Sequence, residues 1–303
     1  MSDPAASTRV AAFDIGSNSI KMTIATVSVD GDVHESASMT KTTRLGEGID
    51  KTGRLSDDRI AATIDALGEM SDRATSDGVT KRLGVATEAV RIASNGADFL
   101  QTINQRFGIS IATISGDEEA ALAYDGLAAT MPLDGLVIMA DIGGASTEIV
   151  AATGERKDIS QSLPLGSGRL TDRLVVSNPP SIEELHACRD AATATLTPTG
   201  VGAHQGGKLY VTGGTGEYMA RLIGQQSGIE PREVKGLLRR LTTISAEQVA
   251  EFADIPVARA KVLPAGIAIV VSLCDLAKPV EVIGAPGGVR TGLLLAAARG
   301  SLT

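Results

Sequence analysis

The sequence predicts an α/β protein built from two related domains. Its 303 residues suit about two domains at roughly 150 residues each. Short apolar runs with strand periodicity alternate with segments of helical periodicity, which is typical of α/β folds. The opening also recurs: FDIGSNSIKMTIA at 13–25 and ADIGGASTEIVAA at 140–152 share Asp-Ile-Gly, a serine five positions after the aspartate, and a following apolar strand. Such an internal repeat predicts a duplicated fold, with domains at 1–131 and 132–303.

The first copy predicts three strands and then alternating helices and strands. An apolar run at 10–13, alternation at 20–24, a hairpin turn at Asp30-Gly31 and a strand from Val33 open it. A helix follows Ser56 and ends near Gly78, strands are expected at 81–86 and 110–114, and helical material fills the interval to 107. Ser115 and Glu118 have capping-box spacing, which predicts a helix to about 129.

The second copy predicts the same order. Strands are expected at 135–140, 148–152 and 159–163, followed by a helix over 181–196 that begins with the capping pair Ser181 and Glu184. A strand at 208–212 ends in a glycine-rich turn, with a helix from Glu217. Ser245 and Gln248 form another capping pair, and a strand at 280–283 precedes a last helix to about 299.

Composition excludes several classes of function. Seven aromatic residues and a net charge of −8 argue against base stacking and phosphate-backbone binding, so no nucleic-acid partner is expected. Cys188 and Cys274 form no C-x-x-C motif, the three histidines are scattered, and no P-loop, H-E-x-x-H or G-x-S-x-G motif occurs. Zinc, redox and Ser–His chemistry are therefore not expected.

The sequence also gives expectations for location and assembly. Residues 1–9 lack an apolar core typical of a signal peptide, and the apolar stretch 262–274 is shorter than the ~20 residues of a membrane span. A cytoplasmic protein with no membrane partner is expected. The oligomeric state is left open, with a homodimer as one alternative.

The two Asp-Ile-Gly turns are the strongest candidates for chemistry. Backbone N–H groups in a tight glycine-containing turn can surround an oxyanion, and hydroxyl and amide side chains add donors. An aspartate at the end of each first strand could hold hydrated Mg²⁺ beside a phosphate. The candidate phosphate-binding residues are Gly16, Ser17, Asn18, Ser19, Gly143, Gly144, Ala145 and Ser146, and the turn Gly213, Gly214, Thr215 at a strand–helix junction is a third.

These motifs resemble the actin, sugar-kinase and Hsp70 superfamily, and most closely its exopolyphosphatase / guanosine pentaphosphate phosphohydrolase (Ppx/GppA) family. Besides the two repeats, the matching segments are RLGEGI, VATEAVRIASN, ISGDEEAALAY, SLPLGSGRLTD, VTGGT, LPAG and GGVRTGLL, in order along nearly the whole chain. The resemblance implies two duplicated actin-like (ribonuclease H-like) domains with an interdomain cleft, and hydrolysis of phosphoanhydrides there. Longer relatives carry a further C-terminal helical region.

The resemblance also implies roles for individual residues. Glu119 matches the catalytic glutamate and would activate water, since Glu118 is already assigned to the capping box. Glu148 matches a second acidic position and would bind metal or position the water. Asp14 and Asp141, with Glu148, would hold Mg²⁺ or Mn²⁺. Arg91 matches a family arginine that contacts phosphate, and Arg44 lies in a second segment shared with the family, so both guanidinium groups are candidate phosphate contacts.

Two positions depart from the family pattern. Lys21 stands where many relatives carry arginine, and Ala145 replaces the third glycine of D-I-G-G-G-S. Either the backbone at 145 is compatible with alanine, or phosphate binding is altered there.

The function expected from the resemblance is metal-dependent removal of the terminal phosphate of inorganic polyphosphate. Short chains are expected to be preferred, because the acidic chain offers no long basic track. The alternatives are hydrolysis of guanosine pentaphosphate (pppGpp), an ATP-using enzyme of the superfamily such as a sugar kinase, and a non-catalytic regulator that binds an alarmone or nucleotide.

Overall fold

A computed structural model describes residues 7–28 and 32–299, so the predicted turn at Asp30-Gly31 lies outside the described residues. The chain forms two units. The first consists of the residues up to Gly126 together with those from Val289 onward, and the second of Leu127–Gly288.

The first unit contains a five-stranded sheet in the order β3-β2-β1-β4-β5. Strands β1, β2 and β3 pair antiparallel, while β4 and β5 continue the sheet in parallel with β1. The strands are β1 Thr8–Ile15, β2 Ser19–Val27, β3 Val33–Thr42, β4 Lys81–Ala86 and β5 Ser110–Thr113. The helices that follow these strands along the chain are α1 Ile49–Thr52, α2 Asp57–Ser76, α3 Glu88–Ile92, α4 Gly96–Phe107 and α5 Gly116–Thr130, and the last of them continues into the second unit.

The second unit repeats this topology. Its sheet has the order β10-β9-β6-β7-β8, so each strand takes the position of its counterpart in the first sheet. The strands are β6 Leu136–Ile142, β7 Thr147–Thr153, β8 Arg156–Leu163, β9 Lys208–Thr212 and β10 Glu281–Gly284. The helices are α6 Ser167–Leu174, α7 Ile182–Leu196, α8 Gly213–Ile223, α9 Pro231–Arg240, α10 Ala246–Ala253 and α11 Val257–Ala277. The predicted duplicated α/β fold is confirmed.

The last helix, α12 Val289–Ala298, differs from the predicted domain division. It packs on β1 and β2 of the first unit, and Arg290 Nη1 donates to Met22 O at 3.3 Å and to Thr23 Oγ1 at 2.8 Å. This helix therefore belongs to the first unit and not to the expected second domain at 132–303. The other boundary falls between Gly126 and Leu127, inside α5.

Helix α11 extends at both ends beyond the apolar stretch 262–274 that the sequence analysis identified. Among the described residues it alone is long and apolar enough to cross a membrane by length and composition, but 83% of its most apolar window is buried within the protein. Its residues form a large part of the second unit's core. Pro264 lies inside the helix and is buried, although proline lacks the backbone N–H of a helical hydrogen bond.

The three predicted capping boxes are confirmed. The Ser115 backbone N donates to Glu118 Oε2 at 2.7 Å, and the Glu118 backbone N donates to Ser115 Oγ at 3.2 Å. The pairs Ser181–Glu184 and Ser245–Gln248 make the same reciprocal bonds. These local interactions decide where α5, α7 and α10 begin.

Glu184 also anchors the loop that precedes α7. Its carboxylate accepts hydrogen bonds from the backbone N of Val176 at 2.8 Å, Ser177 at 3.0 Å and Ser181 at 2.7 Å, and from the Ser177 hydroxyl. Burial raises the pKa of Glu184, but these four bonds outweigh it and hold the pKa at about 2.

Glu184→Gln is expected to destabilise the protein at pH 7 by ~1–2 kcal/mol, because the charged acceptor of the capping box is lost. A depressed folded-state pKa stabilises the fold above the unfolded pKa of about 4.5, and this contribution is lost as the pH falls toward about 2. Urea unfolding of both proteins at pH 7, 4 and 3 measures the difference, which should narrow as the pH falls. Glu183→Gln, an exposed neighbour on the same turn, is the matched control. A difference that does not change with pH would contradict this role.

Candidate active site

The first Asp-Ile-Gly turn joins β1 to β2 and is largely buried. Asp14, the residue before the last one of β1, is 9% exposed, and residues 17–19 are also buried. A Cβ at Gly16 would lie 2.9 Å from Ser19 O, so only glycine fits this close approach. Lys21 Nζ lies 4.0 Å from Asp14 Oδ2, which places a cation next to the predicted metal ligand.

The segment after β3 holds this turn from behind. The backbone N of Arg44 donates to Asn18 O at 2.9 Å, and that of Gly46 donates to Ser17 O at 2.8 Å. Arg44 adopts a left-handed φ of 52°, and its Nη1 lies 3.1 Å from Glu47 Oε1. In a trans peptide the N–H group points opposite to the C=O group, so the N–H groups of Asn18 and Ser19 point away from this supporting segment. N–H groups exposed in this way can bind an oxyanion.

The second turn, 143–146, is held in the same manner by the start of α6. The backbone N of Ser167 donates to Gly143 O at 2.9 Å, and that of Arg169 donates to Gly144 O at 2.9 Å. Arg169 Nη1 completes the set with a bond of 2.6 Å to Ala145 O. In both copies of the repeat, a following segment thus holds the candidate phosphate turn by donating hydrogen bonds to the carbonyl groups of that turn.

The supporting segments reveal a part of the repeat that the sequence analysis missed. Leu-Gly-Glu-Gly at 45–48 and Leu-Gly-Ser-Gly at 165–168 occupy corresponding places after β3 and β8. Leu45 and Leu165 are both buried in the cores of their units. The Leu-Gly-x-Gly pattern that the two segments share is the sequence signal from which this part of the repeat could have been predicted.

Ala145 fits its place in the second turn. Among the described non-glycine residues, a left-handed φ occurs at Arg44, Asp254 and Lys278, so the backbone at 145 has a conformation open to any L-residue. The replacement of the family's glycine therefore causes no backbone strain.

Asp141 and Glu148 form an acidic pair in the second unit. They face each other in register across β6 and β7, and Glu148 is 2% exposed. Ser162 Oγ donates to Glu148 Oε1 at 2.7 Å. Burial, followed by the charge of Asp141, raises the pKa of Glu148 to about 8, although hydrogen bonds from Ser162 and Ser146 oppose the rise.

This pair fits the expected divalent cation by its donor chemistry. Mg²⁺ prefers oxygen ligands and commonly takes one or two carboxylates, with substrate phosphates and water completing its shell. Within residues 7–28 and 32–299, no group of three or more His, Cys, Asp or Glu side chains is placed to hold a metal ion. A cation would also relieve the repulsion between Asp141 and Glu148. Asp14 offers a further carboxylate in the first unit.

The third candidate turn lies within α8, which begins at Gly213 and not at Glu217 as predicted. A Cβ at Gly213 would lie 2.6 Å from Asp141 Oδ1, so the predicted phosphate turn contacts the predicted metal ligand. Thr215, in the first turn of the helix, is 1% exposed. The glycines serve these close approaches and do not interrupt the helix.

Arg259 of α11 is a component that sequence reasoning missed. Arg259 is 7% exposed, and its guanidinium packs against Gly214 and lies 5.5 Å from the centre of the Tyr218 ring. Burial lowers its pKa, while the negative charges of Glu217 and Asp141 oppose that effect. A buried positive charge beside Asp141 suits a site for an anionic ligand, but an isolated arginine carries no sequence signal for this placement.

Glu119 lies in the first turn of α5, and its side chain is 7% exposed. Its Oε2 is 3.6 Å from Arg91 Nη1. The structure thus brings together two predicted site residues, the candidate base and a candidate phosphate ligand. Glu118 is engaged in the capping box, as the sequence predicted.

Two further basic residues, Arg169 and Arg290, have partners within the protein. Arg290 donates to Met22 O and the Thr23 hydroxyl, and Arg169 donates to Ala145 O. Lys21, Arg44 and Arg91 stay candidate phosphate contacts of the first unit, and each has an acidic neighbour, Asp14, Glu47 and Glu88 respectively.

Comparisons with known proteins place these features in a family. Residues 24–299 match the Ppx/GppA phosphatase family. Exopolyphosphatase 1 of Mycobacterium leprae is 29% identical over 95% of this chain and 88% of its own length. Guanosine-5'-triphosphate,3'-diphosphate pyrophosphatase of Vibrio vulnificus is 29% identical over 97% of this chain and 60% of its own length. The crystal structure of the Aquifex aeolicus Ppx/GppA member superposes with a TM-score of 0.76 at 28% identity, covering 98% of this chain and all of that one. The chain belongs to the Ppx/GppA phosphatase family.

Proposed function

We propose that this protein is an exopolyphosphatase, which hydrolyses the terminal phosphate of inorganic polyphosphate. The observation that carries the proposal is the buried Glu119 carboxylate beside Arg91, in a chain similar over 95% of its length to an exopolyphosphatase. A glutamate next to a phosphate-binding cation can orient and deprotonate an attacking water. The supported turns at 16–19 and 143–146 supply amide donors for phosphate oxygens.

The individual roles follow from these positions. Glu119 accepts a proton from water, and Arg91 and Arg44 hold phosphate oxygens. The first turn of α8 at Gly213 adds the positive end of a helix dipole. The chain acts by positioning and by stabilising charge, as in phosphoryl transfer generally.

Asp141 and Glu148 would hold a divalent cation, Mg²⁺ or Mn²⁺, with Asp14 as the corresponding residue of the first copy. When bound, such an ion neutralises negative charge on phosphate oxygens. Ser162 keeps the Glu148 carboxylate oriented for this task through its 2.7 Å hydrogen bond. Chelation of divalent cations is expected to stop turnover.

Hydrolysis of guanosine pentaphosphate is the second candidate. It is favoured by the similarity to the Vibrio vulnificus pyrophosphatase, which extends over 97% of this chain. A third candidate, a non-catalytic nucleotide or alarmone binder, is disfavoured by the presence of both Glu119 and Glu148.

Short polyphosphate is expected to have the highest kcat/KM, about tenfold above long polyphosphate and guanosine pentaphosphate. The net charge is −8, and three cations in the first unit suit a short polyanion. One charge-assisted hydrogen bond of ~1.4 kcal/mol corresponds to this factor. Steady-state kinetics at one fixed salt concentration, with ATP as a fourth substrate, provide the measurement.

Any other order of the kcat/KM values would lead to a different conclusion about the function. A preference for guanosine pentaphosphate would replace the main proposal by the second candidate. A preference for long chains would reveal a basic track that the cations named above do not form. Binding of all substrates without phosphate release in the presence of Mg²⁺ and Mn²⁺ would support the non-catalytic regulator.

A further inference from the structure

Asn95 forms a long-range clamp in the first unit. It stands just before α4, where an asparagine side chain ordinarily caps the backbone N–H groups of the first helical turn. In this described part of the chain, the Asn95 side chain makes no capping bond to α4. Its Oδ1 accepts from the Leu55 backbone N at 2.9 Å, and its Nδ2 donates to Leu55 O at 2.9 Å. The amide thus pairs with both backbone groups of a residue 40 positions earlier in the chain.

Leu55 ends the segment that supports the first Asp-Ile-Gly turn. Near its start, this segment, residues 44–55, donates two backbone hydrogen bonds to carbonyl groups of the turn. Near its end, the segment is held by the Asn95 clamp and by a bond of 2.9 Å from the Ser94 backbone N to Gly53 O. The turn and the junction between α3 and α4 are therefore joined through one short stretch of chain.

Gly46 places the same segment between the turn and α3. A Cβ at Gly46 would lie 3.0 Å from Ser17 Cβ and 3.1 Å from Ala89 Cβ. Ser17 belongs to the turn, and Ala89 belongs to α3, the short helix that also carries Arg91. The absence of a side chain at Gly46 allows the turn and α3 to approach this closely.

Helix α3 is held at both of its ends. Before it, the Thr87 backbone N donates to Ile15 O at the end of β1, at 3.3 Å. After it, α4 begins directly against its backbone, since a Cβ at Gly96 would lie 2.2 Å from Val90 O. Arg91 lies in the last turn of α3, next to the end that the clamp fixes.

We propose that Asn95 is a positioning residue that sets the place of Arg91 relative to the first Asp-Ile-Gly turn. This inference rests on the proposed function, because it concerns phosphate contacts of that site. The turn and Arg91 bind oxygens of one polyphosphate chain, so the separation between them has to match the substrate. The clamp keeps this separation constant by joining the end of α3 to the segment that supports the turn.

Asn95→Ala tests this proposal with tripolyphosphate as the probe. We expect KM to rise roughly tenfold with a smaller change in kcat, because misaligned phosphate contacts weaken ground-state and transition-state binding alike. Calorimetry should show a matching rise in Kd. Asn95→Asp, which keeps the acceptor for the Leu55 N–H group but lacks the donor to Leu55 O, should change KM in the same direction.

Asn104→Ala is the matched control. Asn104 is an asparagine of α4 whose Nδ2 also bonds to a backbone carbonyl, Ile109 O at 3.3 Å, and not to the segment 44–55. Its replacement removes a side-chain hydrogen bond of the same kind, and we expect the variant to keep the wild-type KM.

A double substitution shows whether Asn95 acts through Arg91. When Arg91 is already alanine, its alignment with the turn no longer matters, so Asn95→Ala should raise the Kd for tripolyphosphate by less than about twofold. A purely structural role would give the same ratio of Kd values in both backgrounds.

A folded Asn95→Ala protein with an unchanged KM overturns this inference, and so does an equal rise in Kd with and without Arg91. Thermal unfolding shows which variants are folded, and Asn95→Asp carries the test if Asn95→Ala is not. If the wild-type protein releases no phosphate, the proposed function fails, and calorimetry decides the inference. Weaker tripolyphosphate binding by Asn95→Ala then supports it, whereas equal binding, or no binding by the wild-type protein, overturns it.

Discussion

Glu119→Gln is expected to lower kcat for phosphate release on the order of 10²-fold or more. The substitution removes the proton acceptor but keeps the size of the side chain. Since Glu119 is buried in the first turn of α5, an isosteric change should leave the helix and its capping box intact. Rates of phosphate release from tripolyphosphate at saturating substrate measure the effect.

Glu118→Gln is the matched control for this change. Glu118 is the adjacent residue on α5, is exposed, and takes part in the capping box that glutamine also supports. It should retain wild-type kcat. A folded Glu119→Gln protein with near-normal turnover would remove Glu119 as the base, and Glu148 would become the next candidate.

The sequence predicted the fold well where local chemistry decides the structure. The capping pairs at the starts of α5, α7 and α10 are reciprocal bonds between residues three apart, so their spacing alone is informative. The Asp-Ile-Gly repeat predicted two sheets of the same strand order, because each copy carries the same succession of strands and turns. Its matching aspartates also located both candidate turns.

Interactions between segments that are distant in sequence could not be predicted from local sequence patterns. The return of α12 to the first unit depends on Arg290 contacting β2, some 267 residues earlier in the chain. The placement of Arg259 against Gly214 depends on packing between α11 and α8. The start of α8 at Gly213 was missed because glycines normally disfavour a helix, whereas these are required by close contacts.

Gly166 shows how tightly the second turn is supported. It lies at the start of α6 with an extended backbone (φ −141°), so its conformation is open to other residues. Space is the constraint: a Cβ would lie 2.5 Å from Ala145 N and also clash with the carbonyl group of Gly144. These are backbone atoms of the candidate phosphate turn, which cannot move aside as a flexible side chain could.

Gly166→Ala is therefore expected to displace the turn 143–146, lowering the free energy of unfolding by ~1–3 kcal/mol and kcat/KM by about 10²-fold. Urea unfolding and tripolyphosphate kinetics measure the two effects. Gly236→Ala in α9 is the control, because a Cβ there meets no atom within 4 Å and its φ is not left-handed. That variant should keep wild-type kinetics and gain ~0.5–1 kcal/mol, since alanine favours a helix over glycine. If both variants retain full activity, the contact between α6 and the turn has no part in phosphate binding.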